Sequence, residues 1–267
     1  MSWFSDKKDV KVVLVASPAQ QADDRHTEDL WLSSRRAFGE ILEKRSTSQR
    51  FEHLYEATYA MVTREEGECL YHGLREAVTE HLTTKVRPRA FANVDNSLQT
   101  LNHAWEDHQM SMTVVSDIVR YLELVYAPQT NIESVSKAGV FLLRDEVARC
   151  ADVRDRLRET MLGLVKTERE GNPVDKVSLK KAGEMLVALG LDSRSVYEKD
   201  FEKPFLVESA QFYALRGQHY IKTKDSLEYV TQVEQHINEE SERAMQCLDE
   251  STVVPVLQAI KILPGSI

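Results

Sequence analysis

From residue 98 onward, Leu98, Leu101, Trp105, His108, Met112, Val115, Val119, Leu122 and Tyr126 alternate spacings of three and four without a miss. That period marks the buried seam of a helix, either one long helix or two abutting ones, and Pro128 stops it. Upstream, Leu30, Ala37, Phe38, Ile41 and Leu42 give residues 27–44 an apolar side before STSQR breaks the run. Residues 51–82 follow, with Ser48 as N-cap and Gly67 dividing the stretch in two. The second half carries Leu70, Leu74, Ala77, Val78 and Leu82, and Pro88 marks the connection beyond it. Each helix can bury its stripe only against the others, so residues 25–128 are expected to form a helical bundle.

A second group begins near residue 131. NIESVSKAGVFLLRDEVARC, then VRDRLRETMLGLVKTERE ended by Gly171, Asn172 and Pro173, then VDKVSLKKAGEMLVALGL capped at Gly190, read as successive helices. In residues 195–220 Pro204 should end or kink a helix, while Asp225 with Glu228 makes a capping-box-like start for the next. Phe201, Phe205, Phe212 and Tyr213 are expected to pack this second bundle. The chain therefore reads as all-α: an extension over 1–24, bundles over 25–128 and 129–252, and a tail over 253–267. Recurring helical units of this length suggest a solenoid-like stack. The extension shows no helical period and is expected to be a disordered tail in the isolated chain, although its β-prone run VKVVLVA (10–16), which holds Val12 and Leu14, is suited to pairing with or lying against a partner.

The first half of residues 51–82 carries more apolar surface than one helix needs. Phe51, Tyr55, Tyr59 and Val62 form one stripe, with Leu54, Ala57 and Met61 as a second beside it. Together they span roughly 200° of the helix, where an ordinary surface helix uses a stripe of roughly 100°. Two readings stay open. Either the helix is buried on both sides, or the aliphatic stripe faces the core and the aromatic stripe is offered to another protein.

Composition sharpens the fold class and narrows the partners. Ten Gly and seven Pro among 267 residues are too few for the turns of an all-β protein, and 42% hydrophobic content supplies a sizeable core. A net charge of −9 argues against nucleic acid, whose phosphates need clustered Lys and Arg. Cys69, Cys150 and Cys247 lie far apart, form no CxxC pair, and are expected as buried thiols in a reducing compartment. The run VKVVLVA is far shorter than the ~20 residues of a membrane span, and Asp6 and Asp9 spoil it as a signal peptide. A soluble cytoplasmic or nuclear protein without membrane partners is expected.

Chemistry is sparse. GxGxxG, GxxxxGK[ST], HExxH and GxSxG are all missing. Cys69, His72 and His81 share one segment but lack a fourth metal ligand, and solvated or core-edge roles account for them better. His103, Asp107 and His108 are the most compact polar cluster, but His108 falls on the seam and its companions off it, which favours a structural histidine over a general base. No cofactor, metal or catalytic residue is assigned.

Several segments together resemble the cullin family, and within it the cullin-3 type: FEHLYEATYAMV (51–62), LYHGLREAVTEHL (70–82), LQTLNHAWEDHQMSM (98–112), MLVALGLDSRSVYEKDFEKPFL (185–206) and INEESERAMQCLDEST (237–252). The resemblance implies an elongated all-α stalk of cullin repeats, each a five-helix bundle, of which this chain would hold the first two. It implies a non-enzymatic scaffold of a multi-subunit ubiquitin ligase whose first repeat binds a BTB-domain adaptor. On this reading Phe51, Glu52, Tyr55, Tyr59 and Tyr126 belong at the adaptor interface, and Leu54 and Met61 in the core. Val12 and Leu14 would pack into a groove on the adaptor, and dimerisation would go through the adaptor. The chain departs from the family at Arg64, Glu65, Glu66 and Gly67, where basic residues are usual before the Gly. The resemblance fades beyond Thr252, and the parts that bind a RING subunit are missing, as in a fragment or a truncated cullin that would occupy adaptors as a decoy.

Overall fold

The structure, a computed structural model, describes residues 18–47, 49–92, 96–223 and 226–261, and every regular element within them is helical. The first bundle is built from α1 (Pro18–Leu42), α2 (Phe51–Thr63), α3 (Gly67–His81), α5 (Ser97–Ile118) and α7 (Val135–Leu143), with short α4 (Arg87–Ala92) and α6 (Ala127–Thr130) in its connections. Helix α1 packs on α2, α3 and α5, while α7 folds back onto α3 and α5. The packing thus puts α7 with the first bundle, past the expected division at 128.

Helix α1 starts earlier than its apolar stripe, because Pro18 suits a first helical position and the polar stretch after it is rich in Ala and Gln. Residues 18–24, expected as part of the extension, are therefore helical. Ser48 and Asp225, expected as caps, lie outside the described residues. Helix α2 begins after Arg50, which is extended and provides no side-chain cap.

The second bundle comprises α8 (Ala151–Arg169), α9 (Lys176–Ala188), the single turn α10 (Ser195–Tyr197), α11 (Lys203–Thr223), α12 (Ser226–Cys247) and α13 (Val253–Lys261). Helix α13 occupies the expected tail and packs on α11 and α12, burying Val256 and Ile260. The core runs unbroken from Phe38, Leu54 and Met61 through Leu101, Trp105 and Leu179 to Tyr197, Phe201 and Phe205. Phe201, Phe205 and Tyr213 are buried as expected, and Phe212 packs half-buried at the core's edge. A buried ionic network fastens this bundle: Arg169 and Arg243 both pair with Glu240, Arg243 also reaches Glu168, and the Tyr213 hydroxyl donates to Glu240 at 2.5 Å.

The prolines read as helix stops are absorbed rather than obeyed. π turns at Leu82–Val86, Leu122–Tyr126 and Glu198–Glu202 immediately precede Pro88, Pro128 and Pro204, each of which sits second in the following helix. A proline ring clashes with the carbonyl four residues back, and the wider i→i+5 turn moves that carbonyl away. The long seam therefore continues almost to Asn131, which ends it in the left-handed conformation.

Two glycines act by size rather than by backbone freedom. The residue with positive φ after α2 is Glu65, at +67°, while a Cβ on Gly67 would stand 2.5 Å from the ring of Tyr126. Likewise Leu191, not Gly190, takes the left-handed turn after α9, and a Cβ on Gly190 would collide with the Ser193 carbonyl. Among the described glycines only Gly171 takes the left-handed cap role, at φ +83°, closing α8 through the bond from Asn172 N–H to the Thr167 carbonyl.

Candidate protein-interaction surface

The two stripes of α2 separate in part, with Tyr55, Ala57 and Val62 half-buried between the two sides. Leu54 and Met61 are 1% and 0% exposed and face the core with Thr58, while Phe51 and Tyr59 keep 48% and 42% of their surface in solvent. The Thr58 hydroxyl donates to the Ile118 carbonyl at 2.9 Å, at the point where α5 gives way to its break at Val119. That buried bond holds α2 against the end of α5 and so sets which side of α2 faces outward. Glu52 is exposed in the first turn of α2, where a carboxylate favours the positive end of the helix dipole.

The outward face is an aromatic cluster drawn from two elements. Tyr55 and Tyr59 stack with centroids 6.4 Å apart, and Tyr59 meets Tyr121 at 4.6 Å. Tyr121 is half-buried and was not among the residues singled out from sequence; it stands off the seam, so no helical period flags it. Tyr126 lies half-buried with its ring over Gly67, linking the π turn to the start of α3. Phe51, Glu52, Tyr55 and Tyr59 thus share α2, with Tyr121 and Tyr126 supplied by the chain just after α5. Val12 and Leu14 lie outside the described residues.

An acidic turn borders this cluster. Glu65 is exposed and Glu66 half-buried between α2 and α3. Burial raises the Cys69 thiol pKa, and the charges of Glu66 and Glu76 raise it further. Cys69 itself is exposed, contrary to the expectation of a buried thiol, because it falls on the side of α3 opposite Leu70 and Leu74. Cys247 is buried and Cys150 half-buried.

The polar clusters do not assemble into chemistry. His103 is exposed, Asp107 pairs with Lys44, and buried His108 directs Nε2 to the Gly139 carbonyl at 2.9 Å on α7. Burial lowers the His108 pKa to about 4, leaving it neutral near pH 7. His72 is exposed beside Glu68, and among the described residues no group of three His, Cys, Asp or Glu is placed to hold a metal. No described helix is long and apolar enough to cross a membrane.

Against known proteins, the cullin alpha solenoid domain matches residues 31–262, which includes α13 and so extends past the expected limit at Thr252. The chain belongs to the cullin family. Among its relatives, cullin-3 of Dictyostelium discoideum is 35% identical over 231 residues, covering 86% of this chain and 30% of that protein. Cullin-3 of Caenorhabditis elegans is 33% identical over 241 residues, 89% of this chain and 31% of the relative, and cullin-3B of Arabidopsis thaliana is 32% identical over 239 residues, 90% and 32%. Cullin-4A of Homo sapiens is 27% identical over a similar span. This cullin is thus of the cullin-3 type, and it spans about a third of the length of these relatives. The helical bundles described above make up its cullin alpha solenoid domain.

Proposed function

We propose that this cullin-3-like chain is a non-catalytic scaffold of a ubiquitin ligase, working in the cytoplasm or nucleus, and that its first repeat binds a BTB-domain substrate adaptor through the aromatic face of α2. The supporting observation is the split of α2 into a side that buries Leu54, Thr58 and Met61 and a solvent-facing side bearing Phe51 and Tyr59. Tyr55 stacks on Tyr59 and Tyr121 packs tilted against it, holding it in place before any partner arrives, which reduces the ordering cost of association. Aromatic anchors of this kind carry much of an interface's energy, about 2 kcal/mol or more at a hot spot. The RING subunit belongs to this reading only through a longer chain, and pairing of two scaffolds goes through the adaptor.

The test is a titration against a BTB-domain adaptor. Phe51→Ala and Tyr59→Ala should each weaken the dissociation constant about 30-fold, the equivalent of ~2 kcal/mol. Met110→Ala, which removes an exposed residue from the outer face of α5, should leave it unchanged. Unaltered affinity in both aromatic variants would remove α2 as the binding face.

A further inference from the structure

A cleft of about 510 Å³ opens where the end of α1, the end of α3, the following π turn, α4 and the first half of α5 converge. It is distinct from the aromatic face: its α5 wall runs from Thr100 to His108, whereas the aromatic cluster sits beyond Val119, roughly 25 Å further along the helix axis. The volume lies within the range of small-ligand sites, about 300–1,000 Å³.

The charges around this cleft are unbalanced in a chain that is acidic overall. Lys44, Arg45, Lys85 and Arg89 line it against two carboxylates, Glu43 and Asp107. Both carboxylates already have partners: Arg45 holds Glu43 at 2.8 Å, and Lys44 holds Asp107. Among the described residues no carboxylate lies within ion-pair distance of Lys85 or Arg89, and both side chains are exposed. Lys44 takes the left-handed conformation, φ +56°, to turn the chain at this rim, and Arg45 N–H closes the turn on the Glu40 carbonyl. His81 and His103 complete the wall, with Thr100 supplying a hydroxyl.

We propose that this cleft is an oxyanion-binding site, taking a ligand that bears a phosphate or sulfate dianion between Lys85 and Arg89, with His81, His103 and Thr100 as further hydrogen-bonding groups. The fork of Arg89 suits bidentate contact to such an anion, and Lys85 adds a point charge. His81 reports on occupancy. Its pKa is lowered by burial and by the charges of Arg89 and Lys85, with Glu43 acting in the opposite sense. An anion seated between those cations offsets their repulsion and raises the His81 pKa, so by linkage binding tightens as pH falls through it. The charged or titratable groups around His81 are Glu43 and Arg45 from the α1 end, Lys85 and Arg89 beyond α3, and His103, Asp107 and His108 on α5, together with Lys44.

The experiment uses the whole chain, labelled at histidine with 13C and titrated at constant ionic strength with sodium sulfate, whose charge is constant between pH 5 and 8. In a second arm O-phosphoserine replaces sulfate, separating a free inorganic anion from a phosphorylated side chain. Saturable shifts of the His81 and His103 resonances in either arm, a raised His81 pKa, and at least a ten-fold loss of affinity in Lys85→Gln with Arg89→Gln are expected. Both residues are exposed, so this variant should keep the wild-type circular dichroism spectrum. Lys137→Gln, which removes a cation paired with Asp192 elsewhere, should bind as the wild type does. No saturable shift in either arm, or an identical response in the Lys85 and Arg89 variant, overturns the proposal.

Discussion

His108 shows how one seam position acquires a polar role. Its neighbours Trp105, Met112 and Val115 are buried apolar residues, so the imidazole is buried with them and stays neutral, tied to the Gly139 carbonyl. Burial lowers its pKa from 6.5 to about 4. Between those values the unfolded chain binds a proton that the folded chain refuses. This group therefore costs no stability above pH 6.5, erodes it as pH falls toward about 4, and adds no further loss below that, a total of at most about 3 kcal/mol. Urea midpoints compared at pH 7.5 and 5 should fall less steeply for His108→Gln than for the parent chain. A second residue, Glu240, is fully buried between Arg169 and Arg243 and accepts from Tyr213. Removing it leaves buried Arg169 without a carboxylate and Arg243 with Glu168 alone, so Glu240→Ala should lose about 3–5 kcal/mol in chemical denaturation. Sequence marks His108 by its place in the seam, but not Glu240, because two of its three partners, Arg169 on α8 and Tyr213 on α11, lie far along the chain.

At the scale of elements, the helices are legible wherever a stripe repeats, and the breaks are less so. Pro88, Pro128 and Pro204 carry a local signal to stop, yet each is accommodated by a π turn whose cost is borne by tertiary packing that sequence period does not report. Gly67 is similar: its position between two helices suggests a turn, whereas its small size makes room for Tyr126. This distinction is testable. Gly67→Ala forces the Tyr126 ring to move and should cost about 1–3 kcal/mol, like other overpacking changes. It should also weaken adaptor binding, since Tyr126 belongs to the π turn that packs on α2. Gly163→Ala in α8 meets nothing within 4 Å and should instead stabilise the chain by about 0.5–1 kcal/mol. Thermal denaturation of the two variants side by side separates a glycine required by contact from one that merely loosens a helix. The aromatic face of α2 lies between these cases. Period alone leaves it open whether the stripe is core or surface, because both placements satisfy the same spacing, and the outward orientation is selected by the packing of α2 on α1, α3 and α5 together with the buried Thr58 bond.

For the whole molecule, the two bundles share one continuous core, and α5 is the element common to both. Its inner side packs in the first repeat while its other contacts reach α8 and α9 in the second. The seam of α5 is readable, but the second set of contacts is not, because polar residues make much of it. Asn102 Nδ2 donates to the Ser178 carbonyl at 2.8 Å, Gln99 reaches the Asp175 carboxylate at 3.1 Å, and Lys181 pairs with Glu106 at 2.6 Å. Of these only the Asn102 bond is buried, where water cannot replace it when the side chain is cut back. In a stack of repeats, stability is the sum of each unit's own folding and the interface with its neighbour, so weakening the interface loosens cooperativity before it unfolds either unit. Asn102→Ala should therefore cost about 1–3 kcal/mol. Its unfolding should also broaden, with the tryptophan signal, to which Trp31 and Trp105 of the first bundle contribute, and the overall helical signal no longer falling together. The exposed pair removed by Lys181→Ala should contribute less than about 1 kcal/mol and leave the two signals superimposed. Coincident transitions in Asn102→Ala would mean that the apolar contacts of α5 with α8 and α9 alone couple the two repeats.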